Sequence, residues 1–153
     1  MAKLTGTPSV FVGDTSSVFD SAEFTVGQRG YDANGNEYIF LQGVANTTAG
    51  SWVIYDEVGV TTLLNDTNNK GFVAIAMAAI GANQYGWYLV RGSVSAKVAE
   101  AVADNAPLYT SATDGSAGGT TTGHTAIARA ITRGSTAGAG LVTVQVDYPS
   151  VTI

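Results

Sequence analysis

The feature that most constrains the fold is the regular recurrence of short strand-like segments between turn residues. Segments rich in valine, isoleucine, threonine and aromatic residues alternate with Gly, Asn and Asp clusters at intervals of about 8–12 residues. Residues 51–55 (SWVIY) and 141–146 (LVTVQV) are examples. This spacing is typical of an all-β protein, because each strand crosses the sheet once before a tight turn returns the chain. We therefore predict an all-β fold, a small antiparallel β-barrel or sandwich.

The chain length and the composition agree with a single β-domain. The chain has 153 residues, which is about the size of one domain. It contains 19 glycines among many threonines and valines, and glycine and threonine are unfavourable in helix interiors. Residues 95–103 (SAKVAEAVA) have helix propensity, but Val98, Glu100 and Val102 also alternate as in a strand, so both structures stay open for this segment.

Charge and residue usage exclude several classes of function. The net charge of −5 argues against a nucleic-acid partner, which requires a basic footprint. No apolar run approaches the roughly 18 residues that span a membrane, and the first residues (MAKLTGTPSV) lack the apolar region of a secretory signal. Cysteine is absent, which excludes disulfides and thiolate ligands. We expect neither a membrane nor a nucleic acid as partner.

The first 23 residues differ in pattern from the rest of the chain. The triplet Ser-Val-Phe occurs twice, ending at Phe11 and at Phe19, with a Gly-Asp-Thr-Ser turn cluster between the copies. One interpretation is a first strand or hairpin of the barrel. The other, on which we divide the chain, is an extended N-terminal arm (residues 1–23) that docks Phe11 and Phe19 on another subunit, followed by a β-barrel or sandwich domain (residues 24–153).

Residues 32–37 (DANGNE) predict a hairpin turn. Asn34-Gly35 is the pair that favours a type I′ turn, in which both central residues have positive φ. The alternating oxygen ligands of Asp32, Asn34 and Asn36 also invite comparison with a calcium loop. The comparison fails because an EF-hand loop needs Gly at its sixth position and Glu at its twelfth, where this chain has Glu37 and Gly43.

The sequence contains no recognisable catalytic set. His124 is the only histidine; Asp114 is near it in sequence, but no nucleophile motif accompanies them, so we predict a loop histidine without a catalytic role. One histidine without cysteines makes a zinc site improbable, and the glycine-rich loops (residues 113–123 and 134–140) lack phosphate-binding motifs. We predict no catalytic residues, no metal and no cofactor.

Aromatic residues concentrate at Tyr85, Trp87 and Tyr88, with Trp52 and Tyr55 elsewhere in the chain. Aromatic side chains bury the most area per residue, so core packing or a subunit contact is the favoured interpretation. A platform on which sugars stack is the alternative. We name Tyr85 and Trp87, together with Phe11 and Phe19, as candidate partner-binding residues.

From residue 24 to residue 151 the chain resembles the head decoration, or cement, proteins of tailed bacteriophages. The similarity is carried by segments in a fixed order: residues 30–43 (GYDANGNEYIFLQG), 49–56 (AGSWVIYD), 71–92 (GFVAIAMAAIGANQYGWYLVRG), 105–119 (NAPLYTSATDGSAGG) and 144–151 (VQVDYPSV). No catalytic residues are carried over, and the first 23 residues are the part that matches least.

The resemblance implies a non-enzymatic virion protein, made in the host cytoplasm, that binds the outer surface of the phage head. Its partners would be the major capsid protein, whose subunit contacts it stabilises, and other copies of itself in a homo-oligomer such as a trimer. A carbohydrate-binding or adhesin-like β-module on a virion or cell surface is the alternative. A small β-barrel hydrolase is a third, weaker reading, because no catalytic set supports it.

Overall fold

The structure, a computed structural model, describes residues 10–152, with the backbone alone of Val10 and Phe11. Eleven β-strands make up its regular structure: β1 (Val10–Phe11), β2 (Val18–Phe19), β3 (Arg29–Tyr31), β4 (Glu37–Gln42), β5 (Trp52–Tyr55), β6 (Thr61–Leu63), β7 (Gly71–Ala76), β8 (Tyr85–Val98), β9 (Pro107–Tyr109), β10 (Ala126–Thr132) and β11 (Gly140–Val151). Within residues 10–152 no helix is long and apolar enough to cross a membrane. The prediction of an all-β fold is confirmed.

All strands belong to one sheet, in the order β1-β3-β4-β8-β11-β7-β5-β6. Strand β7 also pairs directly with β8, β2 adds to β8, and β10 joins β9 to β11. Every strand pair is antiparallel except β1 with β3. The sheet curls into a half-barrel, and a bridge between Gln42 and Val60 brings the β5–β6 connection back to β4.

Both faces of the central strands are covered. Along β4, Tyr38 and Phe40 point to one buried cluster, and Ile39 and Leu41 point to another. Successive side chains of a strand alternate between faces, so the continuous apolar run YIFL requires cover on both sides. Trp52 lies in the first cluster with Phe40. The apolar side chains of both faces of β4 are therefore buried.

The described part of the N-terminal segment pairs with the sheet. Val10 and Phe11 lie beside Gly30 and Tyr31, and Val18 and Phe19 lie beside Gly86 and Tyr85. Val12 is 4 % exposed and belongs to the first core cluster. These contacts favour the interpretation in which residues 10–23 supply strands to the body. The division of the chain at residue 24 stays a prediction, and residues 1–9 lie outside the described part.

The DANGNE hairpin has a different turn from the predicted one. Gly35 has a φ of 80°, as predicted, but Asn34 is not among the residues with positive φ. The amide of Gly35 donates to the carbonyl of Asp32 at 3.3 Å. This pattern is a type I turn followed by a glycine in the left-handed region, the common three-residue hairpin loop. The type I′ assignment was wrong because the Asp32 carboxylate, which accepts hydrogen bonds from the amides of Asn34 and Asn36, stabilises the alternative.

Strand β8 shows why the sequence 85–94 contains two glycines. A Cβ on Gly86 would lie 2.5 Å from Cδ1 of Ile80, so only glycine fits this close approach. Near Gly92, which has a φ of 125°, the pairing of β8 with β4 shifts by one residue. One glycine thus permits a close approach to Ile80, and the other lies beside a β-bulge. The same strand continues to Val98, which decides the ambiguous segment 95–103 in favour of a strand over its first residues.

Candidate binding cleft at the mouth of the half-barrel

A cleft of about 580 Å³ opens on the half-barrel, lined by residues of β3, β4, β5, β7 and β11. We call it the mouth cleft and define it by the lining residues that matter below: Arg29, Ile39, Leu41, Tyr55, Phe72 and Tyr148. Ile39 and Leu41 belong to the second core cluster, so the apolar floor of the cleft is continuous with the interior of the protein.

Aromatic side chains form the rim of the mouth cleft. Tyr55 of β5 and Phe72 of β7 are register partners, and their rings stack with centroids 6.2 Å apart and an interplanar angle of 28°. The Phe72 side chain is 53 % exposed, which is unusual for a phenylalanine in a small protein. Tyr148 of β11 is also exposed. The cleft therefore presents aromatic surface to solvent rather than enclosing it.

Exposed apolar side chains of the described residues concentrate around this cleft. The set consists of Val18, Tyr31, Val58, Val60, Phe72, Leu141 and Tyr148. Phe72 and Tyr148 line the cleft, and Val58 and Val60 flank the lining residue Gly59. Tyr31 lies two residues after Arg29 on β3, hence on the same face. Only Val18 and Leu141 lie elsewhere, so the apolar exposure forms a patch and not a scatter.

The lining of the cleft includes Arg29 and the carboxylates Asp56 and Glu57, and a buried acid, Glu37, lies beside Arg29. The Glu37 side chain is almost fully buried, and its Oε2 accepts a hydrogen bond from the hydroxyl of Tyr148. The nearest guanidinium nitrogen, Nη1 of Arg29, lies 3.8 Å from Oε1 of Glu37, which is an ion pair but too long for a hydrogen bond. That Nη1 is buried without a hydrogen-bond partner among the described residues. The guanidinium carbon lies 5.9 Å from the centroid of the Tyr148 ring.

The surroundings of the rim tyrosines shift their acidity. The hydrogen bond to Glu37 raises the pKa of the Tyr148 hydroxyl, and desolvation and the negative charge of Glu37 act in the same direction. Burial raises the pKa of Tyr55, although the positive charge of Arg29 opposes the shift. Both hydroxyls therefore stay protonated, and can donate hydrogen bonds, throughout the neutral range.

The backbone that carries Tyr148 is strained. Tyr148 has a φ of 54°, and Arg129 on the neighbouring strand has a φ of 62°, where the β10–β11 register shifts. Positive φ is uncommon for such side chains and persists where the surroundings enforce it. Here Nη2 of Arg129 donates to Oδ2 of Asp147 at 2.7 Å, next to Tyr148. The bulge turns Tyr148 toward Glu37 and the mouth cleft.

Three of the four candidate residues from the sequence, Phe19, Tyr85 and Trp87, do not line the cleft. Trp87 is 2 % exposed, with its ring 5.2 Å from both Phe24 and Phe40, so its proposed role as a surface contact is corrected: it is a core residue. Phe19 and Tyr85 are half-buried and pack on Phe40.

Partner binding by Phe19 and Tyr85 stays a prediction. The Phe11 side chain lies outside the described part of the structure. Trp52, Trp87 and Tyr88 are all buried, which agrees with the favoured interpretation of core packing, and Tyr55 and Tyr85 are half-buried.

His124 forms part of a loop-to-loop network. Its Nδ1 lies 2.9 Å from Oδ1 of Asp66, which also accepts a hydrogen bond of 2.6 Å from the Thr110 hydroxyl. Burial tends to raise the pKa of Asp66, but the hydrogen bonds from His124 and Thr110 outweigh it and lower that pKa. The carboxylate beside the histidine is thus Asp66 and not Asp114, which instead accepts from the Asn65 amide. Among the described residues no group of three acidic or histidine side chains is arranged to hold a metal ion.

The residues of the mouth cleft escaped the sequence analysis because their partners are distant in the chain. Glu37 and Tyr148 are separated by 111 positions. The one local signal is Phe72, a large apolar residue near the start of a strand, separated from the polar run 65–70 by Gly71 alone.

Two comparisons with known proteins identified no relative of this chain. A scan of the chain against protein-family models found no match, and a search of curated proteins found no significant match either. The fold and the cleft together define an all-β protein with a solvent-facing apolar site, the kind of surface through which proteins bind one another.

Proposed function

We propose that this protein is a non-enzymatic capsid decoration protein that binds the outer surface of a tailed-phage head and stabilises contacts between major capsid protein subunits. The observation that carries the proposal is the apolar patch around the mouth cleft, which includes Phe72, Tyr148, Val58 and Val60. Contiguous exposed apolar surface on a small protein marks an interaction site, because leaving it in water is unfavourable. The resemblance of residues 24–151 to decoration proteins supplies the identity of the partner.

The architecture is compatible with this role. A decoration protein needs a stable body that presents a binding patch. Phe72 and Tyr148 of the patch lie on strands whose opposite faces are buried in the core, and Val58 and Val60 lie in the β5–β6 connection. Strands hold side chains more precisely than loops do. A symmetric head repeats each contact at many positions, so a patch of modest affinity suffices when several copies associate with one another. Self-association of this protein belongs to the same proposal.

The test compares heads assembled with and without this protein. We expect heads that lack it to form but to release DNA at a lower temperature or a milder osmotic shock, because the protein reinforces an existing lattice. In purified particles its copy number should be comparable with that of the major capsid protein. Equal fragility, or absence of the protein from purified heads, would contradict the proposal.

A variant links the effect to the patch. Phe72→Ser removes the most exposed aromatic side chain of the mouth cleft, and Leu141→Ser removes an equally exposed apolar side chain outside it. We expect only the first to weaken binding to heads.

A carbohydrate-binding module is the second candidate, and the exposed rings of Phe72 and Tyr148 are the observation that favours it. Sugars stack on exposed aromatic rings, and both rings border a cleft that also contains Arg29. A glycan array separates the two functions, since a sugar-binding module should retain specific glycans and a decoration protein should not. Tryptophan fluorescence is unsuited to this test because Trp52 and Trp87 are buried.

A further inference from the structure

We propose that the mouth cleft binds one large apolar side chain of a partner polypeptide, in a segment where a basic residue follows that side chain. This inference rests on the proposed function, in which the partner is a capsid subunit, and it specifies the chemistry of the contact. Three features of the cleft carry it: an apolar floor, an arginine with unused donors, and an acidic edge.

The apolar floor selects the side chain. Ile39, Leu41 and the ring of Tyr55 line the interior of the cleft, and Phe72 stacks on Tyr55 at its edge. A volume of about 580 Å³ accommodates a phenylalanine-sized group together with part of its backbone. Burial of one such side chain contributes roughly ten- to hundredfold in affinity. Ile39 and Leu41 are already shielded from water, so the gain comes from covering the exposed ring of Phe72, which a small or polar side chain would leave in contact with water.

Arg29 selects a backbone carbonyl. Its Nη1 is buried without a hydrogen bond, because Oε1 of Glu37, 3.8 Å away, is too distant to accept one. The Arg29 side chain as a whole is 41 % exposed, and its positive charge and a side-chain hydrogen bond act on the Tyr55 hydroxyl. A guanidinium has five N–H donors, so those that face the cleft can donate to a carbonyl oxygen of a bound peptide.

The charge around the cleft disfavours an acidic ligand and favours a basic one. Glu37 offsets the positive charge of Arg29, and Asp56 and Glu57 add two exposed carboxylates at the edge. Asp56 also accepts hydrogen bonds from the amides of Val58 and Val60, which holds its charge in place beside the cleft. A lysine or arginine next to the bound apolar side chain would therefore meet negative potential.

The experiment is an NMR titration of the full, isotope-labelled chain with three capped peptides. The probe is acetyl-Gly-Phe-Lys-amide; acetyl-Gly-Phe-Glu-amide reverses the charge, and acetyl-Gly-Ala-Lys-amide removes the ring. We expect the probe to bind with a millimolar Kd and to shift the amide signals of Gly59 and Gly71, which line the cleft. The Glu peptide should bind several-fold more weakly, and the Ala peptide about tenfold or more.

Variants test whether the shifts report on the cleft. Phe72→Ser should weaken binding of the probe about tenfold, whereas Leu141→Ser, on β11 outside the cleft, should leave it unchanged. Arg29→Lys retains the charge but loses the planar set of donors. It should weaken the binding of the Phe-Lys and Phe-Glu peptides by a similar factor. Absence of shifts at the cleft, equal binding of the Ala peptide, or indifference to Phe72→Ser would overturn the inference, as would shifts with methyl glycosides alone.

The peptide titration needs no phage heads, so the two proposals can fail separately. A protein that reinforces heads but binds none of the peptides overturns this inference and leaves the decoration role intact. A protein that binds the Phe-Lys peptide in the cleft but does not bind heads supports the docking site and overturns the capsid as partner.

Discussion

At the scale of single residues, backbone conformation and side-chain contacts limit different positions of this chain. Gly35 illustrates this, because a Cβ at its position would meet nothing within 4 Å although its φ is 80°. Any cost of substitution there comes from backbone strain alone. Tyr148 shows the opposite case, in which a large residue accepts a φ of 54° and its hydroxyl engages the buried Glu37.

Gly35→Val should lower the free energy of unfolding by roughly 1–3 kcal/mol, because a β-branched residue is strained at positive φ. Gly138→Val is the matched control, since Gly138 also has open space around its Cβ position but is not among the glycines with positive φ. We expect the control to change stability by less than about 0.5 kcal/mol. Urea titration of both variants measures the difference, and equal midpoints would show that the turn tolerates a side chain.

At the scale of elements, the short strands β1 and β2 decide how the N-terminal segment is interpreted. Each has two residues, yet Val12, which lies between them, is buried in the main core cluster, and Phe19 packs edge-on against Phe24 with centroids 6.0 Å apart. An arm that served only a neighbouring subunit would not fill the core of its own chain. These contacts predict that residues 10–23 contribute to folding.

Val12→Ala should destabilise the protein by roughly 1–3 kcal/mol, because it removes two buried methyl groups and leaves a cavity. Val18→Ala, in the adjacent strand but 37 % exposed, is the matched control and should change little. Thermal unfolding compares them, at about 2–4 °C for each kcal/mol in a chain of this size. If Val12→Ala melts like the wild type while binding heads poorly, the segment is an arm after all.

At the scale of the whole molecule, tyrosines with raised pKa values are spread across the sheet and link stability to alkaline pH. Burial raises the pKa of Tyr88 to about 12. Burial and the hydrogen bond to Asp32 raise that of Tyr38, and the pKa values of Tyr55 and Tyr148 are also raised. A tyrosine whose pKa is higher in the folded than in the unfolded state stabilises the protein fully below the unfolded value of about 10, and this contribution is lost as the pH rises through the folded value.

The free energy of unfolding should therefore fall steadily above pH about 10. Tyr88→Phe should reduce the slope of that fall, since the Tyr88 hydroxyl is buried without a partner among the described residues. At neutral pH the same variant should change stability by no more than about 1 kcal/mol, because the buried hydroxyl that it removes makes no hydrogen bond. Denaturant midpoints of the wild type and of Tyr88→Phe, measured from neutral to alkaline pH, provide the check. If the two midpoints fall in parallel as the pH rises, Tyr88 does not contribute to the loss of stability.

What the sequence determined by itself is local. The turn at Gly35, the strand at 141–146 and the double burial of YIFL follow from patterns within a few residues, because turn conformations and strand periodicity depend on near neighbours. The type of the turn was missed, since it depends on how the Asp32 carboxylate hydrogen-bonds to amides two and four residues later.

The binding cleft was decided only by the tertiary structure. Arg29, Glu37, Phe72 and Tyr148 come from four strands and meet because the sheet curls, and no local pattern encodes which distant strands become neighbours. The position of Trp87 was likewise decided only by the tertiary structure. As an isolated aromatic residue it suits a surface contact or a core equally well, and only the packing of Phe24 and Phe40 on its ring assigns it to the core.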